Sequence, residues 1–526
     1  RNDLEKKMVD IWEDILGVTP VGVHDSFFEL GGHSLKATVL IGRLNKEFDI
    51  EVPLREIFRQ QTLEEMALYI THADKQDSVS IPLTEKQAYY PVTSAQKRIY
   101  VVQQLDKGGI SYNIPHILQL QGKVDLTKLE AAFQEIVKRH EAFRTSFHTV
   151  EDELVQSIHE DVALSIEYSK KAPEVSIDTM IKNFIRPFHL SEAPLLRVGV
   201  VTVSEDVHFL MWDMHHIISD GISVGLFMKE FEALYKGHTL SSVPIHYKDY
   251  AAWQQTQTES ETYKKQEAYW LNRLDGELPI LDLPTDYPRP KVQHFTGSRT
   301  GFEVGQELTK KLKRLSTQQG TTLYMTLLGA YHILLSKYSG QQDIIVGSPI
   351  GGRSHAETES MIGMFVNTVA IRNQVLPTSS FDEWIQQVKE RVLEAYEHQA
   401  YPLEVLIEKL GISRDLDRNP IFDTAFSLQN IDQSNISLPN VQVQPYNYLF
   451  EVSKFDLTFQ AVEANHNILF DCEYSTHLFN AQTVKRMGLH YIQILESIVE
   501  NPQILLSEIE LVTKEEKKEL LDRFNN

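Results

Sequence analysis

The chain has 526 residues, of which 42% are apolar and 24% charged, and its formal net charge is −22 at pH 7. This composition is typical of a soluble globular protein with more than one structural unit, and no uninterrupted apolar stretch is long enough for a transmembrane helix. The acidic balance argues against nonspecific binding to nucleic acid or anionic membrane, and the single cysteine, Cys472, excludes an internal disulfide and a cysteine-rich zinc site.

Residues 1–72 carry the periodic apolar pattern of helices. The predicted segments are 4–16, 34–48, 53–58 and 63 to about 70. Gly17 ends the first, Pro53 lies in the first turn of the third, and Thr62 and Glu65 are spaced as a capping box for the fourth. With 8 basic and 13 acidic residues, this segment has a net charge of −5. The sequence therefore predicts a small, acidic four-helix bundle.

The most informative feature of this bundle is residues 31–35, GGHSL. Two glycines place Ser34 at the opening of an amphipathic helix, where we expect an exposed hydroxyl beside free backbone N–H groups. The helix dipole favours an attached phosphate at such a position. An ordinary serine N-cap after a glycine-rich turn is the alternative interpretation.

The surrounding string, residues 25–37, resembles the 4′-phosphopantetheine attachment motif of peptidyl carrier domains. The aromatic pair Phe27 and Phe28 favours the peptidyl kind over a fatty-acid carrier. The resemblance implies that Ser34 carries a covalent 4′-phosphopantetheine, which a phosphopantetheinyl transferase attaches.

Residues 73–90 lack a sustained period and are interpreted as a flexible linker. From residue 91, short apolar strands alternate with helical segments, which indicates an α/β architecture. The predicted helices include 126–140, 223–236, 308–319, 325–339 and 381–398, and the predicted strands include 117–120, 195–203, 208–213, 343–348 and 367–372. A proline-rich passage at 283–290 divides this region roughly in two.

A second motif, residues 215–223 (HHIISDGIS), follows the strand-like run 207–212. It resembles the active-site motif of the condensation domains of nonribosomal peptide synthetases and of their acyltransferase relatives. Six further segments match that family in its order: 93–100, 139–147, 247–253, 362–368, 398–404 and 414–422. Ala400 departs from the pattern, since the family commonly has an acidic residue there.

The resemblance, to synthetases of the tyrocidine and gramicidin type, implies a multidomain protein of this organisation: carrier domain 1–72, linker 73–90, condensation domain halves 91–270 and 271–511, and at 512–526 the start of a connector to a missing adenylation domain. The halves are expected to be chloramphenicol-acetyltransferase-like and to form a V around a tunnel. The implied reaction transfers a donor aminoacyl or peptidyl thioester to the amine of a downstream carrier-bound aminoacyl thioester. The donor is expected to be L-configured.

Aminolysis of a thioester needs a free amine and a way to hold or remove its proton, and a neutral imidazole can do either. By family correspondence that residue is His216, as a general base or as a positional group, and His215 has a minor part at most. Asp220 either orients His216 or, the preferred interpretation, pairs with a buried arginine. The candidate arginines are Arg139, Arg144 and Arg353.

Gly221 either lets the backbone approach the pantetheine arm, or supplies an N–H to an oxyanion, or is a simple turn residue. Asn367 either lines the tunnel or caps a strand end. His216 and Asp220 have the spacing of metal ligands but lack a matching third ligand, so no metal is expected. No phosphate-binding loop or dinucleotide motif supports ATP or NAD.

Three alternatives stay open. An epimerisation domain shares the double-histidine motif but lacks the 365–368 pattern (FVNT), a heterocyclising domain should carry acidic residues in place of the histidines, and a noncatalytic module would only dock carriers. The chain begins at Arg1 without an initiator methionine, so we expect a piece of a longer cytoplasmic protein whose partners are the upstream and downstream synthetase domains.

Overall fold

The computed structural model describes residues 2–77, 79–106, 108–412, 415–429 and 436–525. They form an N-terminal helical bundle, a segment that follows it, and a large α/β domain. Arg414, the first residue of the motif at 414–422, lies outside these ranges.

The bundle comprises α1 (Asp3–Leu16), α2 (Ser34–Phe48), α3 (Leu54–Arg59) and α4 (Leu63–His72). The capping box of Thr62 and Glu65 is confirmed, as is the end of α1 at Gly17, which has a left-handed φ of 70°. Pro53 is the residue before α3 rather than part of its first turn, which corrects the prediction. Trp12 and Phe27 meet edge to face at 5.3 Å in the core.

The large domain has twelve helices within the described residues: α5 (Ser94–Leu105), α6 (Leu126–Arg139), α7 (Ile177–Phe184), α8 (Gly221–Tyr235), α9 (Tyr247–Gln257), α10 (Glu261–Arg273), α11 (Gln306–Gln318), α12 (Leu323–Ser339), α13 (Phe381–Glu397), α14 (Leu403–Lys409), α15 (Ala481–Glu500) and α16 (Lys514–Phe524). Its strands are β1 (Tyr90–Pro91), β2 (Asn113–Gly122), β3 (Thr145–Val150), β4 (Glu153–Ile158), β5 (Glu167–Lys170), β6 (Leu196–Ser204), β7 (Val207–His215), β8 (Gly297–Val304), β9 (Asp343–Ile350), β10 (Asn367–Gln374), β11 (Thr424–Gln429), β12 (Val441–Pro445), β13 (Leu457–Ala464) and β14 (Asn467–Ser475). All ten elements predicted after residue 91 are present, with ends that differ by a few residues.

The strands form two main sheets, one in each half of the large domain. The first has the order β12-β2-β7-β6-β5, and the second has the order β10-β9-β11-β13-β14-β8. A small sheet of β1, β4 and β3 accompanies the first. Strands alternate with helices, so the predicted α/β class is confirmed, and the sheets are mixed, since parallel and antiparallel pairs both occur.

One strand crosses the predicted division at residue 270. β12 comes from the second half of the sequence but pairs antiparallel with β2, from Val441 opposite Gly122 to Pro445 opposite Leu118. The two halves are therefore joined by backbone hydrogen bonds as well as by side chains. This exchange of a strand has no signal in local sequence periodicity.

The bundle packs on the second half of the large domain. Buried apolar residues of both belong to one contiguous cluster, whereas the first half has a separate core. The segment predicted as a flexible linker lies on the large domain as well: Ile81 is buried, and its N–H donates to Glu357 Oε2 at 2.7 Å. Thr84 N–H donates to Asp249 Oδ1 at 2.8 Å. The prediction of a freely flexible linker is therefore wrong for these residues.

Candidate active site

The double-histidine motif forms the turn between β7 and α8. β7 ends at His215, one 3-10 turn covers His216–Ile218, and Asp220 caps α8 by accepting a hydrogen bond from Ser223 N–H at 2.8 Å. An apolar strand followed by a capped helix thus places the two histidines and the aspartate within one tight turn.

His215 is fully buried and uses both ring nitrogens. Its Nε2 donates to Gln103 Oε1 at 3.1 Å, and its Nδ1 accepts from Ile217 N–H at 3.1 Å. Burial is the main cause that lowers the pKa of His215 to about 3. A ring occupied on both sides has no nitrogen left for a substrate, so its geometry fits a supporting role.

His216 is half-buried and lies against Tyr112. Its backbone N–H donates to the Tyr112 carbonyl at 2.8 Å, and the two rings meet edge to face at 6.3 Å. The Nδ1 atom is buried, which leaves Nε2 as the nitrogen able to face a substrate. Burial, and then the nearby Lys454 ammonium, lower the pKa of His216 from 6.5 to about 3. His216 is therefore neutral throughout the physiological range.

Lys454 is a site residue that the sequence interpretation missed. Its ammonium lies 4.3 Å from the Tyr112 ring centre, and both residues line a cavity of about 1680 Å³. Burial lowers the pKa of Lys454 to about 8. Residue 454 lies more than 200 positions from the motif, so nothing in local pattern connects the two; a lone lysine just before an apolar strand was the only available sign.

Asp220 is fully buried and joins the two halves of the large domain. Oδ1 accepts from Arg353 Nη2 at 3.0 Å, and Oδ2 accepts from Phe365 N–H at 3.0 Å. The Arg353 guanidinium also donates to Ser223 Oγ at 2.8 Å and stacks over the Phe365 ring at 4.2 Å. Within the described part of the chain, none of the hydrogen bonds of Asp220 goes to His216.

The other two candidate arginines have different partners. Arg139 donates from Nε to Glu230 Oε1 at 3.1 Å, and Arg144 donates to the carbonyls of Val137 and His159 at 3.1 and 2.8 Å. The prediction that either one could pair with Asp220 is therefore wrong. Their hydrogen bonds instead connect α6 to the segments around it.

Asn367 begins β10 and links it to the segment before α14. Its Nδ2 donates to the carbonyls of Gln399 and Tyr401, both at 2.9 Å, and its Oδ1 accepts from Leu403 N–H at 3.2 Å. Asn367 also contributes to the wall of a second cavity, of about 650 Å³. The amide thus combines both expected features, a strand-end contact and a place in a cavity wall.

The two cavities meet at α5 and the start of α14. Ser94, Lys97 and Glu404 line both of them. The smaller cavity is rich in aromatic side chains and reaches Gly352 and Ser354, beside the bundle; the larger one extends past Tyr112 and Lys454. His216, Gly221 and Ser34 line neither cavity; the motif reaches the larger one through Tyr112, which His216 contacts.

Gly351 brings the bundle and the motif together. A Cβ built on Gly351 would lie 2.6 Å from Leu35 Cδ1 and 3.3 Å from Ile222 Cδ1. Leu35 follows Ser34, and Ile222 follows Gly221, so the two predicted sites converge on one glycine. Gly221 itself has an ordinary φ, and a Cβ there would meet no atom within 4 Å. Neither a left-handed turn nor a close contact therefore requires a glycine at this position, and the space beside it is open.

Ser34 is the first residue of α2, where the leading N–H groups of a helix have no intrahelical acceptor and favour a phosphate. Its Oγ is buried, so the expectation of an exposed hydroxyl is wrong in this arrangement. Tyr396 of the large domain lies beside it: burial raises the pKa of Tyr396 well above 10, and the Ser34 hydroxyl opposes that rise. A serine hydroxyl at a helix start fits a phosphate ester.

Neither a metal centre nor a membrane span is found in the part of the chain that the structure describes. No group of three or more His, Cys, Asp or Glu side chains in it could hold a metal ion. No helix there is both long and apolar enough to cross a bilayer.

Comparison with known families decides the identity of both parts. The condensation-domain profile matches residues 86–521, and the profile of the phosphopantetheine attachment site matches residues 6–70. The chain belongs to the condensation-domain family, with a phosphopantetheine-binding carrier domain at its N-terminal end. The resemblance identified from the motifs is confirmed.

Relatives of this carrier and condensation pair are peptide synthetases. The chain is 48% identical over 525 residues to tyrocidine synthase 3 of Brevibacillus parabrevis and 48% identical over 525 residues to gramicidin S synthase 2 of Brevibacillus brevis. Both matches include 100% of this chain but only 8% and 12% of those proteins. The chain therefore corresponds to a small part of the relatives that it matches.

Solved structures share the fold of the condensation domain. The X-domain complex with OxyB from teicoplanin biosynthesis matches with a TM-score of 0.77 at 22% identity and covers 84% of this chain and 99% of that one. The condensation domain of the monacolin K polyketide synthase MokA matches with a TM-score of 0.71 at 20% identity, over 80% and 99% of the two chains. At these identities the likeness establishes the architecture alone.

Proposed function

We propose that this chain forms peptide bonds in nonribosomal peptide synthesis. The carrier domain presents a donor aminoacyl or peptidyl thioester, and the condensation domain transfers that acyl group to the amine of an aminoacyl thioester on a downstream carrier. The observation that carries the proposal is the convergence of Leu35, beside Ser34, and Ile222, beside Gly221, on Gly351. The modification site and the double-histidine motif thus share one locality.

Bound to Ser34, 4′-phosphopantetheine supplies a thiol on a long arm that holds the acyl group as a thioester. The chain's own contribution is a path for that group and a site for the amine. Leu35 contacts the loop at Gly351, and the open space at Gly221 leaves room beside the motif. The larger cavity, past Tyr112 and Lys454, is assigned to the acceptor substrate.

His216 acts, in this proposal, as a neutral hydrogen-bond acceptor at Nε2 for the attacking amine. With a pKa of about 3, its imidazole is a weak base and does not retain a proton near neutral pH. Orientation of the amine therefore contributes more than proton storage does. Asp220 and Arg353 hold the turn that presents His216, because their bonds connect the cap of α8 to the second half.

The partners follow from the reaction. A downstream aminoacyl carrier supplies the acceptor, an adenylation domain charges each carrier, and a phosphopantetheinyl transferase modifies Ser34. The setting is the cytoplasm, where these enzymes and the thioester substrates would meet. None of these partners is a nucleic acid or a membrane.

Transfer of a labelled donor tests the proposed function directly. Ser34 is loaded with a labelled, N-blocked aminoacyl group, and a separate downstream aminoacyl carrier is added. Label should move to the downstream carrier, faster for the L-donor than for the D-donor, as measured by intact mass. Ser34→Ala should fold, since Ser34 does not cap α2 and the loss of one hydroxyl costs no more than a usual single substitution does, about 0.5–3 kcal/mol, yet it should gain no phosphopantetheine mass. Reverse transfer, a D preference, or mass gain by the variant would contradict the assignment.

Gly221→Ala should slow condensation without loss of stability. A methyl group there fills the open space beside the motif, whereas alanine is favoured over glycine inside a helix by about 1 kcal/mol. We expect a rate lower by roughly 10- to 100-fold, the order of effect of small misplacements at a reacting centre. Gly225→Ala is the matched control, because a Cβ at Gly225 also meets nothing within 4 Å. Equal rates for the two variants would remove Gly221 from the substrate path.

The pH dependence of condensation should show one ionisation between pH 5 and 8. The acceptor amine, with an ordinary pKa of about 7.7–8.0, must lose its proton, so log(kcat/KM) should fall with unit slope as the pH decreases. His216 stays neutral down to about pH 3 and adds no second step. Melting temperatures over the same range serve as the control. A slope of two below about pH 6.5 would show a histidine of ordinary pKa in the reaction.

A further inference from the structure

The condensation domain covers the modification site of the carrier domain that is docked on it. Ser34 Oγ is buried next to Tyr396, and Leu35 contacts the backbone at Gly351. On the same helix, a Cβ built on Gly42 would lie 3.0 Å from the Ser354 carbonyl oxygen. The face of α2 that starts at Ser34 is therefore in close contact with the loop after β9.

Two arginines of the carrier domain hold this contact. Arg43, on α2, makes a forked pair with Glu359, from Nε to both carboxylate oxygens at 3.1 and 3.0 Å and from Nη2 at 2.8 Å. Arg55, on α3, donates to Glu397 at 2.7 Å and to Glu390 at 2.9 Å. The bidentate pair of Arg43 with Glu359 belongs to the stronger and more specific class of ion pair, and Arg55 bridges two carboxylates.

These pairs act against an unfavourable background. The carrier domain has a net charge of −5 and the whole chain has −22, so the two domains repel each other overall. Arg43 and Arg55 are two of only eight basic residues in the carrier domain, and both contact carboxylates of the other domain. The two arginines therefore offset this repulsion and add to the apolar contacts that join the bundle to the second half.

We propose that the docked carrier is closed to the phosphopantetheinyl transferase, and that the Arg43 and Arg55 ion pairs set the fraction of carrier open to it. This inference rests on the proposed modification of Ser34. In the transfer, Ser34 Oγ loses its proton and bonds to the pantetheine phosphorus of coenzyme A, and the bond from that phosphorus to adenosine bisphosphate breaks. The transferase has to enclose Oγ, which the condensation domain already covers. The condensation domain and the transferase thus compete for the same face of the carrier domain.

Substitutions on the condensation domain test this, because they leave the carrier surface that the transferase contacts unchanged. The full chain carrying Glu359→Lys and Glu397→Lys is incubated with a phosphopantetheinyl transferase and coenzyme A, and the initial rate of mass gain is measured. Two partly buried ion pairs correspond to roughly a tenfold change in the docked population, so we expect modification about tenfold faster.

The matched control carries Glu307→Lys and Glu496→Lys, since both are exposed residues, on α11 and α15, and the charge change of the double variant is the same. Its rate of modification should equal that of the unsubstituted chain. Should the double variant fail to fold, the neutral variant Glu359→Gln gives a smaller increase of the same sign. Unchanged modification rates in folded variants would overturn the inference, whereas the absence of any mass gain in both the unsubstituted chain and the folded double variant would overturn the proposed function itself.

Discussion

Replacement of His216 by alanine should lower the rate of peptide-bond formation by about 10²–10⁴-fold, the usual contribution of a positioned acid–base side chain. His216 Nε2 is the ring nitrogen free to meet the acceptor amine, since Nδ1 is buried. The variant should melt at the temperature of the unsubstituted chain and accept phosphopantetheine normally. Full activity of the alanine variant would exclude His216 from the reaction.

Two further variants separate positioning from proton transfer. His216→Gln keeps a hydrogen-bond acceptor but cannot take a proton, so it should retain more activity than alanine if the ring positions the amine. If a base is required, the two variants should be equally inactive. His215→Gln serves as the matched control: it removes the acceptor for Ile217 N–H, which costs about 1–3 kcal/mol of stability, and should reduce activity only through folding.

Asp220→Ala should reduce the free energy of unfolding by about 3–5 kcal/mol, because it leaves the Arg353 guanidinium buried without its carboxylate. Two backbone N–H groups, of Ser223 and Phe365, lose their acceptor as well. The midpoint of urea unfolding measures the effect. Since Arg353 and Phe365 belong to the second half, the junction between the halves should loosen first.

Asp125→Ala provides the matched control for this substitution. Asp125 caps α6 through two backbone N–H groups at 3.1 Å but is exposed, so its loss should cost only about 0.5–2 kcal/mol. Removing both buried charges, as Asp220→Leu with Arg353→Met, should restore part of the stability lost in Asp220→Ala. An Asp220→Ala chain with unchanged stability and no activity would instead assign Asp220 to the chemistry.

Local sequence was sufficient for the elements of the carrier domain. α2 runs from Ser34 to Phe48 as its apolar spacing predicts, and Thr62 and Glu65 form the capping box that their spacing predicts. Such features depend on residues within one or two helical turns, so their signal is present in a short window of sequence. The position of Ser34 at a helix start belongs to this class.

The choice among partners was decided by tertiary structure. Three arginines were compatible with Asp220 by sequence, and only the packing of the two halves brings Arg353 to 3.0 Å from it. Lys454, which lowers the pKa of His216, and β12, which joins the first sheet, come from distant parts of the chain for the same reason. Contacts across more than a hundred residues leave no periodicity at either end.

The environment of Ser34 shows the same division most clearly. Its motif determines that a serine begins a helix after two glycines, and family resemblance determines what that serine carries. Whether the hydroxyl faces water depends on Arg43 and Arg55 meeting carboxylates more than 300 residues away, and on Gly351 being small enough to accept Leu35. Sequence alone therefore predicted the residues and the chemistry of the two candidate sites. Tertiary packing decided their exposure, their charge state and their proximity, because each of these depends on neighbours that come from distant parts of the chain.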